Sequence, residues 1–177
     1  PQNRPPDTPH CECCDRDLDC EGRKDAEFTA FLVLIVVAGN ETTTKLLGHA
    51  LFHLTQHPKQ DADVFGDGGN QGLVSPWIEE TLRYDAPVQS LMRRTTEAVE
   101  VSGVTIPAGA SVVVLYGSAN RDERHYPDAD HFVVDRFAKA KGVADHAGFG
   151  AGIHFCLGAP LARLEAEAGA EELFART

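Results

Sequence analysis

The chain has 177 residues, 42% hydrophobic and 24% charged, with a formal net charge of −11. That balance suffices for one globular core and excludes a disordered polymer. The acidic excess excludes the basic stripe of a nucleic-acid binder.

The N-terminus shows no start methionine, charged-then-apolar leader or cleavage site, so no secretory signal is read there. Four of the five cysteines cluster in CECCDRDLDC, as Cys11, Cys13, Cys14 and Cys20. A zinc knuckle needs clean C-x-x-C arms, which this spacing lacks. A calcium loop counted from Asp17 places Phe28 where the chelating Glu belongs. With the Pro-rich start PQNRPPDTPH, residues 1–24 are expected to form an irregular, disordered leader. A Cys-rich metal-binding module in that segment is the rival expectation.

From Asp25 the pattern changes. DAEFTAFLVLIVVAGNETTTKLLGHALFHLTQH predicts one long helix, apolar nearly all round in its first half and closed by Pro58. Its longest apolar run, Phe31 to Ala38, falls short of the ~20 residues of a membrane span, so no membrane is expected and the reading is soluble and cytoplasmic. Gly39 and three consecutive threonines are weak helix formers, consistent with tolerance or with a local opening. His49, His53 and His57 recur at i+4; lacking an evident carboxylate partner, they read as a half-exposed stripe. SPWIEETLRYDAP predicts a helix with Ser75 as N-cap, Pro76 at its first position and Pro87 as its stop. AVEVSGVTIPAGASVVVLY alternates and turns at Ser102-Gly103 and at Pro107 to Gly109, predicting two or three strands of a small sheet. NRDERHYPDADHFVVDRF predicts an ordered, irregular segment. A last helix begins close to Cys156. The fold class is mainly α with a small β-sheet.

Chemistry concentrates in GFGAGIHFCLGAPLAR. A cysteine near a helix start has its thiolate favoured by unpaired N–H groups, and glycines let a flat partner approach the backbone. One thiolate beside a flat, glycine-lined approach is what a haem iron with an axial cysteine requires. The pattern F-G-x-G-x-H-x-C-x-G is filled by Phe149, Gly150, Gly152, His154, Cys156 and Gly158. Elsewhere, Glu80 and Arg83 stand three apart on one helix face and can pair.

These motifs resemble the cytochrome P450 family, from about residue 25 to the end and most closely its soluble bacterial members. The resemblance implies the C-terminal half of that fold: long distal helix, E-x-x-R helix, small sheet, meander, cysteine-ligand loop and proximal helix, a partial haem domain over 25–177. It implies haem b, held by Cys156 as axial iron ligand, with Arg93 and His154 as propionate partners and Ala38 and Gly39 facing the ring. Choosing Arg93 over Arg94 rests on the family spacing. Glu80, Arg83 and Arg136 match the family's structural triad. Thr42 and Glu41 match the proton-delivery pair, and Val88, Gln89 and Leu91 the substrate-lining segment. The implied activity is a monooxygenase that activates O2 and inserts one oxygen atom into a small organic substrate, with electrons from a ferredoxin-type redox partner. Arg136, Lys139 and Lys141 are compatible with an acidic partner docking nearby. The family's N-terminal half and closing hairpin lack counterparts here, which predicts a fragment; a truncated, non-catalytic product is the alternative.

Overall fold

The computed structural model describes residues 25–66, 71–139, 143 and 145–174. The cysteines at 11, 13, 14 and 20 and Lys141 lie outside the described residues. The chain divides into two units, Pro1–Ala38 and Gly39–Thr177.

The described part of the first unit is the opening of α1 (Asp25–Gln56), whose Phe28, Phe31, Leu32 and Val33 to Val37 are all exposed. The helix bounds, Asp25–Gln56, include Gly39 and the threonines, which are weak formers. The stretch Glu27–Gln56, with a window mean hydropathy of 1.4, is long and apolar enough by length and composition to cross a membrane. An uninterrupted-run criterion misses this because polar residues after Ala38 break the run without lowering the helix average enough.

In the second unit, α1 contributes Leu46, Ala50 and Leu54, spaced by one helical turn, to the core. α2 (Pro58–Phe65) starts at Pro58, whose missing N–H costs nothing in a first turn. α3 (Val74–Tyr84) follows a 3-10 turn, Gln71–Leu73. It begins one residue before the expected cap, with Leu73 at the N-cap and no side-chain bond there; Ser75 is inside the helix because the preceding turn already feeds it. α3 is the central element, with Trp77, Ile78 and Leu82 buried in the core cluster and the Trp77 indole N–H donating to the Ala50 carbonyl. α6 (Ala159–Phe174) adds Ala166 and Ala170, and a Cβ on Gly169 would stand in ordinary contact with Leu47 of α1 at 3.5 Å.

The β structure is two separate antiparallel pairs. β1 (Ser90–Arg94) pairs with β4 (Ser111–Leu115), Arg93 opposite Val112. β2 (Val99–Val101) pairs with β3 (Val104–Ile106) through Ser102 and Gly103, both at positive φ, as a two-residue hairpin loop of matching twist requires. β1 was not legible as a strand, because SLMRR lacks alternation and is defined by its partner. α4 (Tyr116–Ala119) leads into the irregular segment, where Tyr126, Ala129, Phe132 and Val134 are buried. Gln60 of α2 pins that segment through the Phe132 carbonyl and the Val134 amide. α5 (Arg136–Lys139) follows.

Trp77→Ala removes the largest fully buried side chain. It should cost about 3–5 kcal/mol, read as a lower denaturant midpoint in chemical unfolding.

Candidate functional site

The geometry starts at α3. Its outward turn carries Glu80 and Arg83, both fully buried, an arrangement tolerable only if every polar atom is satisfied. Arg83 donates Nε to Glu80 Oε2 at 2.8 Å and Nη2 to Oε1 at 2.7 Å. Arg136, at the start of α5, donates Nε to the same carboxylate at 3.0–3.1 Å, and the Val133 amide adds 2.8 Å to Oε1. Two guanidinium groups on one carboxylate leave an excess positive charge. It rests on backbone carbonyls: Asn120, Ala129 and His131 accept from Arg83, and Pro127, Asp128 and His131 accept from Arg136. The irregular segment is thus shaped around the arginines. Arg136 is consumed here and is not offered to a docking partner.

A second ionic cluster joins α3 to the cysteine loop. The Glu79 carboxylate accepts from Arg163 of α6 (Nε at 2.6 Å, Nη2 at 2.9 Å) and from His146 Nε2 at 3.0 Å. Burial pushes the Glu79 carboxyl up, but the hydrogen bonds from His146 and Arg163 outweigh it and bring it down to about 2. His146 Nδ1 accepts from the Gly148 amide, so the ring hydrogen facing Glu79 is on Nε2. The buried Asn120 side chain accepts from the Ala147 amide. A Cβ at Gly148 would stand 2.7 Å from the Leu82 carbonyl, so the loop lies flat on α3. Glycine is required there by space.

Beyond this anchor, residues 147–149 and 152–154 form two short 3-10 turns separated by Gly150 at φ 76°. The Cys156 amide donates to the Phe149 carbonyl at 2.9 Å, closing the loop, and the Phe149 ring lies between the Arg163 guanidinium and Phe155. Cys156 is the free cysteine among the described residues, and it is exposed, three residues before α6. Its sequence neighbours Ile153 and Leu157 are 97% and 99% exposed. His154 and Gly158 are exposed too. A Cβ at Gly152 (φ 67°) would meet nothing within 4 Å.

The other residues singled out from the sequence are spread over α1 and β1. Glu41 is exposed and ion-paired with Lys45, which holds its carboxyl below the usual range. Thr42 is half-buried beside it. Ala38 closes the first unit and Gly39 opens the second. Arg93 is exposed on β1 and donates to the Met92 carbonyl. Val88 is half-buried and Leu91 exposed. Gln89 is committed to its own turn, donating to the Ala86 carbonyl and to Asp85 Oδ1.

The histidine stripe needs correction. Asp85, at the end of α3, is the carboxylate partner the sequence did not reveal: its Oδ2 lies 3.1 Å from His53 Nε2, and its carbonyl 2.8 Å from His49 Nδ1. His53 is buried, stacked on Phe132. Among the described residues no cluster of these types could hold a metal ion. Sequence reasoning also missed Glu79, His146, Arg163 and Asn120. The one available signal was the doubled acid in WIEETLR, two carboxylates on a largely apolar helix with a single arginine at i+3.

Fold and loop together define the class: a mainly helical protein that presents one free thiol from a glycine-rich loop braced by buried ion pairs. The family model for cytochrome P450 matches residues 72–175. A putative cytochrome P450 123 of Mycobacterium tuberculosis is 44% identical over 160 residues, covering 90% of this chain and 38% of that protein. The 6-deoxyerythronolide B hydroxylase of Saccharopolyspora erythraea is 40% identical over 159 residues, covering 89% and 37%. The crystal structure of CYP109E1 from Bacillus megaterium in complex with corticosterone superposes with a TM-score of 0.76 at 40% identity, covering 86% of this chain and 39% of that one. The chain belongs to the cytochrome P450 family. It spans about 38% of the length of the curated relatives it matches.

The family implies haem as cofactor, and the residues present fit it. The thiol is exposed, and a Cβ at Gly152 would meet nothing within 4 Å, so sulfur and backbone are open to close approach by a flat ring.

Arg83→Met leaves the Glu80 carboxylate buried against a single guanidinium. The expected loss is about 3–5 kcal/mol, measured by chemical unfolding; a loss below about 1 kcal/mol would count against the network's structural weight. Glu79 gives a pH signature. Its folded value, about 2, lies below the ordinary 4.5, so it stabilises the fold above pH 4.5 and that contribution drains away as pH falls toward 2. Acid titration followed by circular dichroism should show wild-type stability falling more steeply than that of Glu79→Gln across this window.

Proposed function

We propose that this chain carries the cysteine-ligand portion of a haem-thiolate monooxygenase that inserts one oxygen atom from O2 into a small organic substrate. The observation that carries the reading is the exposed Cys156 thiol in a glycine-rich loop tied down on α3. Haem b, when bound, would supply the oxygen activation, with the Cys156 thiolate as its protein ligand.

The protein's own residues supply ligation, orientation and protons. Cys156 would hold the haem iron through its thiolate, with Phe149, Gly150, Gly152 and Gly158 shaping its surroundings. His154 and Arg93, both exposed, are the donors for the propionates. Gly39 gives room beside the ring, as Ala38 does in the resemblance. Thr42 holds a hydrogen-bonding water, and Glu41 takes up protons from solvent. Glu41 is exposed to solvent and ion-paired with Lys45, which holds its carboxyl below the usual range. Val88 and Leu91 are the side chains best placed to meet substrate, while Gln89 holds their turn. A hydroxylase of 6-deoxyerythronolide B and a corticosterone complex among the relatives support a small organic substrate. A ferredoxin-type partner supplies electrons, and the setting is cytoplasmic. The haem domain begins near residue 25, after the leader.

The bare apolar side chains of Phe28 to Val37 favour a second reading, in which the chain alone does not turn over and needs a complementing segment to cover them. On this view they are core surface rather than a membrane anchor.

The test is a carbon monoxide difference spectrum of the chain mixed with hemin and reduced. The expected result is the red-shifted band of thiolate-ligated haem, lost in Cys156→Ala. Identical spectra for the two proteins would overturn the assignment.

A further inference from the structure

We propose that Glu79 is a positioning residue for Cys156, acting through His146 and Arg163. The inference rests on the reading of Cys156 as a ligand. Both Glu79 oxygens are engaged: Oε1 by Arg163 Nε, and Oε2 by Arg163 Nη2 and His146 Nε2. The two partners then converge on one residue. The Arg163 guanidinium lies 4.7 Å from the Phe149 ring centre, and the His146 ring lies 5.9 Å from it on the turn leading into Phe149. His146 also fixes the amide of Gly148, the residue before Phe149. The Phe149 carbonyl in turn accepts the Cys156 amide. One carboxylate thus holds two of the side chains packed on the Phe149 ring, whose carbonyl bonds the cysteine amide, much as outer partners orient metal ligands elsewhere. The buried triad of Glu80 touches the loop only at its start and through Asn120, which takes a bond from Arg83 and accepts from the Ala147 amide. Its direct bonds go to the irregular segment 120–136, and none of them ends on the loop from Ala147 to Cys156.

The test compares wild type, Glu79→Gln and the exposed-site control Glu171→Gln in the full chain, with circular dichroism as the fold check. Gln keeps the size but weakens three charge-assisted bonds and turns a donor toward Arg163 or His146. Without haem, amide hydrogen exchange at Gly148 and Cys156 should accelerate at least about tenfold in Glu79→Gln, with Trp77 and Ile78 unchanged. With hemin, reduction and carbon monoxide, the same variant should move intensity from the thiolate band to a non-thiolate band, which a merely structural contact would not do. Unchanged exchange and an unchanged band in a folded variant would overturn the proposal. If wild type shows no thiolate band, the functional reading falls, and exchange at Cys156 alone decides the positioning. Should Glu79→Gln fail to fold, His146→Gln keeps a donor toward Glu79 but loses the Gly148 acceptor. Faster exchange at Gly148 and Cys156 in that variant supports the proposal, and wild-type rates overturn it.

Discussion

The structure depends on a carboxylate that cannot reach water. Glu80 sits at zero exposure on α3, and the desolvation of that charge is offset only because Arg83, Arg136 and the Val133 amide converge on it. The surplus positive charge then needs acceptors, and the carbonyls of residues 120–131 supply them. A segment without regular hydrogen bonding is in this way given a unique path: its backbone acceptors are satisfied by two guanidinium forks rather than by a ladder. Removing the arginines would leave those carbonyls and the carboxylate unpaired in the same small volume.

From this anchor the loop chemistry follows. α3 presents consecutive acids to two sides, Glu80 toward the irregular segment and Glu79 toward the loop and α6. The glycine at 148 lets the loop lie on the Leu82 carbonyl, and the positive-φ glycines beyond it turn the chain so that Cys156 emerges into the open. Rigid backing and an uncovered thiol belong together: a ligand must be both held and reachable.

Much of this was legible in the residues. The cysteine loop announces itself because rare residue types recur at fixed spacing, and the long helix, the α3 stop at Pro87 and the Ser102-Gly103 turn follow from local chemistry. What escaped notice has a common cause. β1 exists only because β4 lies beside it, and Asp85 partners His53 across 32 residues of chain. Glu79 meets Arg163 across 84 residues. Periodicity describes which face of an element is apolar, but not which polar groups from distant segments share that face's edge.

By itself, then, the sequence determined the family, the order of elements and the identity of the proposed ligand, since these rest on local spacing and backbone preference. Only the tertiary structure decided which carboxylate each arginine serves, that the histidines of α1 have an acidic partner, and that Arg136 is committed inside the fold. The reason is that charge pairing in a desolvated interior is set by three-dimensional proximity, which spacing along the chain does not encode.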